Sequence, residues 1–137
     1  MVKKLMLFVA LRLLFATTVL GQSADCKQVY DYAEVMPSYR HDTPRCLLDY
    51  VSKEVRPILY RNMQREGSLI ASLYFTLLID QSGRVSEVRI TRPQLSPRCE
   101  QEVQQKLLTM TGWTPARRQG KAVCCRVKVP ISCLKWQ

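Results

Sequence analysis

This chain of 137 residues contains a single histidine, His41, and none of its cysteines stand at the spacing of a metal-binding pair. Structural zinc sites draw on closely spaced cysteine pairs, usually with histidines, so the sequence offers no metal centre. Catalysis would need a base, an oriented partner and usually a nucleophile in one pocket. The sole histidine lies in a polar stretch and no nucleophile motif accompanies it. Asp80 heads the turn-like run Asp80-Gln81-Ser82-Gly83, where carboxylates commonly serve the backbone. No enzyme is expected, and no catalytic, cofactor-binding or metal-binding residue is assigned. Acidic residues are also scarce, 11 against 21 basic ones, for a formal charge of +10. The longest apolar run, Leu5 to Leu20, is broken by Arg12 and falls short of the roughly 20 residues a spanning helix needs.

What is present fits one small domain, since a chain of this length with 47% hydrophobic residues supports a single core. Residues 1–21 begin with Lys3 and Lys4, continue almost without charge, and end with Val19 and Gly21 placed for signal-peptidase cleavage. They read as an export signal, with a mature N-terminus near Gln22; a retained inner-membrane anchor is the alternative. Asp25 before Cys26 does not suit a lipoprotein site. Loss of Lys3, Lys4 and Arg12 leaves 18 basic against 11 acidic residues, a formal +7, and keeps all six cysteines. Six cysteines in an exported chain point to an oxidising compartment and disulfides.

Residues 22–45 carry Pro37 and Pro44 without a sustained period and read as an extended lead-in. Thr43-Pro44 caps a first helix, in which Cys46, Leu47, Tyr50, Val51 and Val55 recur at helical spacing until Pro57. Ile58 to Glu66 is an undecided basic connection ending at Gly67. From Ser68 the period drops to two: Leu69, Ala71, Leu73, Phe75, Leu77 and Ile79 share one face of a long strand. After the turn at Gly83, Val85, Val88 and Ile90 continue as the second strand of a hairpin. Ser96-Pro97 opens a second helix with Cys99, Val103, Lys106-Leu107 and Met110 on its inner stripe. Trp113-Thr114-Pro115 ends that helical region. Gly120 turns the chain into a last strand, Val123 to Leu134, where Val127, Val129, Ile131 and Cys133 face inward and Arg126, Lys128 and Ser132 outward.

These pieces together resemble the C-terminal domain family of the energy transducer TonB, in its broad Bacteroidetes-like form. The resemblance covers about Ala33 to Leu134. It rests on Ala33-Glu34-Val35-Met36-Pro37-Ser38-Tyr39, on Pro57 ten residues before Gly67, on Phe75-x-x-x-Ile79-Asp80-x-x-Gly83-x-Val85, on Trp113-Thr114-Pro115, on Gly120-Lys121-x-Val123 and on Val129-Pro130-Ile131. Departures from the pattern stand at Arg40-His41, Arg56, Ala116 and Cys133. The resemblance implies an α+β fold, a three-stranded antiparallel sheet with two helices on one face, in the order α-β-β-α-β, over a domain at 46–137.

In that topology the last strand pairs with the first and becomes an edge, open to an added strand. The family is understood to grip a short segment of outer-membrane receptors in this way. The implied function is a stand-alone, non-enzymatic periplasmic module for transmembrane transport. Its partners would be envelope proteins such as TonB-dependent outer-membrane receptors, or a second copy pairing edge to edge. Val123, Arg126, Val127, Lys128, Val129 and Ile131 are the expected partner-binding residues. Arg126 and Lys128 read either as gatekeepers against self-association or as attractors of an acidic partner. A short-tethered form, if the leader stays in the membrane, would reach at most roughly 80 to 90 Å through its lead-in. A rival reading has the basic surface bind anionic lipid or nucleic acid without sequence specificity, through Arg61, Arg65, Arg117, Arg118 and Lys121. The same topology suggests three disulfides: Cys46 with Cys125, Cys99 with Cys133, and Cys26 with Cys124.

Overall fold

The computed structural model describes residues 25–40, 44–67, 72–91 and 95–132. The export signal, the Thr43 cap and the Cys99–Cys133 pair all involve residues outside that set. Among the described residues no helix is long and apolar enough to cross a membrane.

The chain is mixed α+β. Two short strands open it, β1 (Val29–Tyr30) and β2 (Ser38–Tyr39), followed by helix α1 (Pro44–Tyr50), a π-helical turn (Val51–Val55) and helix α2 (Arg56–Glu66). Strands β3 (Ser72–Ile79) and β4 (Val85–Thr91) form the hairpin, and helix α3 (Pro97–Leu108) crosses over. Strands β5 (Trp113–Thr114), β6 (Ala116–Arg118) and β7 (Lys121–Ser132) complete the fold.

Helix formation runs past Pro57, and the expected connection from Ile58 to Glu66 is helical. The Arg56 amide donates to the Val51 carbonyl, a five-residue step that widens the turn just before the proline. Pro57 then falls in the first turn of α2, where its missing N–H is no loss. Gly67, at φ 64°, ends the helix and donates to the Met63 carbonyl. Helix α3 starts as its sequence predicts: the Ser96 hydroxyl accepts from the Cys99 amide at 3.2 Å, with Pro97 in the first turn.

The sheet has more strands than the three expected. Its order is β1-β7-β3-β4, with β6 also paired to β7, while β2 and β5 form a separate ladder. Strand β3 is central and antiparallel to both β4 and β7. A register shift between Leu78 and Ile79 leaves Ser86 unmatched, so Val85 and Val88 both turn inward although three residues apart. The main core lies between this sheet and the helices. Leu73, Phe75, Leu77, Ile79, Val129 and Ile131 meet Val51, Val55, Leu59 and Met63 from the first helical run, and Cys99, Val103 and Leu107 from α3.

Trp113 anchors the far end. Its ring lies 5.3 Å from that of Tyr39, which in turn meets Tyr50 edge-on at 5.8 Å, and β2 pairs with β5 through Tyr39 and Trp113. The β3–β4 turn packs on the same place. Gly83 is at φ 80°, and a Cβ there would stand 2.3 Å from the Trp113 carbonyl oxygen, so only glycine closes this contact. Asp80, buried in the turn, accepts from the Ser82 amide, the Ser82 hydroxyl and the Arg84 amide through Oδ1. Its role in the structure is that of a turn former.

Disulfide formation is seen between Cys26 and Cys124, with Cα atoms 5.9 Å apart. The expected pair of Cys46 with Cys125 is not formed, and Cys125 carries a free thiol. The two residues belong to different apolar clusters: Cys46 packs on the main core, while Cys125 is buried with Ala33 and Ala116 beneath the lead-in. Cys125 does turn into an apolar interior, but β7 runs past the helices there and meets the chain's own N-terminal segment instead.

Candidate functional site

Strand β7 is the longest in the fold, and its two sides are used unequally. Along one side β3 pairs with it from Cys125 to Ser132. The opposite edge holds β1, in parallel, at only two positions: Val29 beside Cys124 and Tyr30 beside Cys125. Nearer the start of β7, β6 pairs with 121–123 as a two-residue hairpin, with Gln119 at φ 50° and Gly120 at φ 75° as its turn requires. From Arg126 to Ser132 no strand among the described residues lies on the edge away from β3.

Of the six residues expected to bind a partner, Val123 is therefore already paired, to Ala116 of β6. Arg126, Val127, Lys128, Val129 and Ile131 lie on the open stretch. The side chains of Val129 and Ile131 are buried in the core, so only their backbone is available at the edge. Those of Arg126 and Lys128 take the opposite face of the sheet, beside Leu78 and Thr76 of β3.

Backbone direction along this edge follows from Pro130. In an antiparallel ladder alternate residues send their N–H groups to opposite sides, and a proline in an edge strand keeps its missing N–H on the open side. Pro130 pairs opposite Tyr74. Lys128 and Arg126 share its parity, so their amides point outward, while that of Val127 points toward β3. The open edge thus offers outward amides with their carbonyls at Arg126, Lys128 and Ser132, and a carbonyl alone at Pro130.

The lead-in occupies the neighbouring part of the same edge, and sequence periodicity could not reveal this, because β1 is two residues long. It is held there by the Cys26–Cys124 disulfide and by Asp31, whose Oδ1 accepts from Arg126 Nη1 at 3.1 Å. Arg126 is thus engaged by the chain's own acidic residue. From Asp31 the chain crosses β7, burying Ala33 against Cys125 and Ala116, and Val35 exchanges backbone hydrogen bonds with Arg117.

Two other places gather polar side chains. A groove of about 280 Å³ beside α1 is lined by Tyr39, Arg40, Cys46, Asp49, Tyr50, Lys53 and Glu54. Its floor is tied down: the Tyr50 hydroxyl donates to the Lys106 carbonyl at 3.2 Å, and Lys106 pairs with Glu54 at 2.7 Å. Burial raises the Tyr50 pKa, and the Glu54 carboxylate raises that of Lys106. Between the helices, Glu102 bridges Arg61 at 2.6 Å and Arg98 at 3.3 Å, and the Arg61 bond chiefly lowers its pKa. Among the described residues no group of three or more His, Cys, Asp or Glu side chains is placed to hold a metal.

Comparison with models of known families, with curated proteins and with solved structures gave no match. What the molecule can do is set by its residues and their placement.

Proposed function

We propose that this protein is a non-enzymatic, TonB C-terminal-like binding module of the periplasm, which takes up an extended segment of an envelope protein as an added strand along Arg126–Ser132 of β7. The observation that carries the reading is the one-sided pairing of β7 beyond Cys125. The same edge already accepts an extended segment, since β1 lies along it in parallel at Cys124 and Cys125. A partner strand continuing past β1 would find the outward amides of Arg126 and Lys128 and place alternate side chains over their cationic heads. The resemblance to TonB domains makes a TonB-dependent outer-membrane receptor the leading class of partner, with roles in transmembrane transport.

The test is retention of envelope proteins on the immobilised protein and on two variants. Lys128→Pro removes an outward amide without touching a bond to β3, and should abolish retention while circular dichroism shows the fold intact. Lys128→Ala keeps the amide and should weaken retention only modestly. Equal retention by a folded Lys128→Pro protein would show that the partner binds elsewhere.

A further inference from the structure

The β6–β7 hairpin tip gathers three of the five cations that the sequence assigned to one basic surface. Arg117, Arg118 and Lys121 are all exposed at this tip, whereas Arg61 is paired with Glu102 on the helical side. The lead-in lies alongside. Val35 and Arg117 exchange two backbone hydrogen bonds, at 3.2 and 2.9 Å, and the Gln119 amide donates to a Glu34 carboxylate oxygen at 3.3 Å. Stitched to the cationic tip in this way is an apolar turn: Tyr32 is 75% exposed, Val35 54% and Met36 38%. The three side chains open to solvent lie within five residues of chain, next to the cationic tip.

Charge near the tip is only partly neutralised. Asp31 is taken by Arg126, and Glu34 is the one carboxylate among the described residues bonded to the hairpin turn itself. The Arg118 guanidinium stacks 4.4 Å from the centre of the Tyr30 ring, and Arg117 donates to the Gly120 carbonyl, so both cations are held in place without losing their charge. Apolar and aromatic side chains flanked by arginine and lysine are what a protein needs to sit at a headgroup boundary.

We propose that this corner, Tyr32 to Met36 with the Arg117 to Lys121 tip, is a docking surface for a bilayer of anionic phospholipid. Tyr32 and Val35 enter the headgroup boundary while the hairpin tip meets the phosphates end-on, with Arg118 and Lys121 on one face and Arg117 on the other. Nucleic acid would use the same cations and could stack a base on Tyr32, but it would gain nothing from the exposed Val35 and Met36, which have no flat face. The surface is separate from the open stretch of β7, and the proposal stands whether or not that edge binds a strand.

Amide exchange of the full chain tests it, read with vesicles of phosphatidylglycerol and phosphatidylcholine and with phosphatidylcholine alone. Anionic vesicles should protect 32–36 and 117–121, neutral vesicles should not, and high salt should remove the protection. Arg117→Gln and Lys121→Gln should each lower vesicle affinity about fivefold. Tyr32→Ser should lower it without altering the salt dependence. Lys121 and Tyr32 are exposed, so these variants keep the comparison open should Arg117→Gln disturb the hairpin. The proposal is overturned if both segments stay unprotected while another part of the chain binds the vesicles. Equal protection on neutral lipid overturns it too, as does protection of the tip by single-stranded DNA but not by anionic vesicles.

Discussion

Cys99 sits at the start of α3 with its side chain in the core, and its thiol is pushed up to about 11 from an ordinary 9.0, first by burial and then by the nearby Glu66 and Glu102 carboxylates. Burial also raises the Cys125 thiol, with Asp31 adding to the effect. A raised pKa means that the fold favours the neutral thiol. That contribution to stability is complete below the unfolded value and is lost as pH rises from 9.0 toward about 11. Urea unfolding followed across that window should show a falling midpoint, with a smaller fall in Cys99→Ala. Both thiols should resist a thiol reagent at neutral pH in the native protein and react once it is unfolded. Glycine supplies a second residue-scale test, because Gly83 and Gly120 share positive φ but not surroundings. Nothing lies within 4 Å of a Cβ built on Gly120, whereas one on Gly83 meets the Trp113 carbonyl at 2.3 Å. Gly120→Ala should cost about 1 kcal/mol from backbone strain alone, and Gly83→Ala at least about 2 kcal/mol, read as a difference in unfolding free energy.

Elements with a strong period or a capping signal are legible in the amino-acid sequence alone. The alternation of β3, the Ser96-Pro97 start of α3 and the turn at Gly83 all occur where the residues place them. Pro57 misleads because a proline that ends a regular helix can also follow a π-helical turn, and the wider step at Val51–Val55 leaves no mark in hydrophobic spacing. Strands β1 and β2 are not legible, since two residues carry no period. Their pairing is set by tertiary contacts: the Cys26–Cys124 bridge for one and the Tyr39–Trp113 packing for the other. Side-chain parity along β7 sets Cys124 apart from Cys125 and leaves it for Cys26, but it mispairs Cys125 with Cys46, because the lead-in supplies the cover for that thiol. The bridge spans 98 residues of sequence, so in the chain-entropy account its loss costs about 4.7 kcal/mol. Cys26→Ser should therefore lower the urea midpoint and speed amide exchange at Val29 and Tyr30, while exchange at Phe75 and Leu77 in β3 changes only with global stability.

At the scale of the whole molecule, the helical run from α1 to α2 and helix α3 cover one face of the sheet, a short lead-in covers part of the β7 edge, and the remainder of that edge is open among the described residues. The candidate edge is readable from element order, because a strand, a crossover helix and a strand leave the last strand at the side of the sheet. Its real extent is not, because β1 takes Cys124 and Cys125 on that edge, and β6 pairs with Lys121 to Val123, through contacts that no local pattern announces. The proposed partner strand therefore has Arg126–Ser132 rather than the full length from Val123 to Leu134. A photo-crosslinking side chain placed at Lys128, on the open edge, and separately at Glu100, on helix α3, compares the two surfaces in living cells. Capture of an envelope protein through an extended segment at position 128, with nothing at position 100, is the result expected. Capture from position 100 with position 128 silent, in a protein that still carries the Cys26–Cys124 bridge, would contradict strand addition at β7.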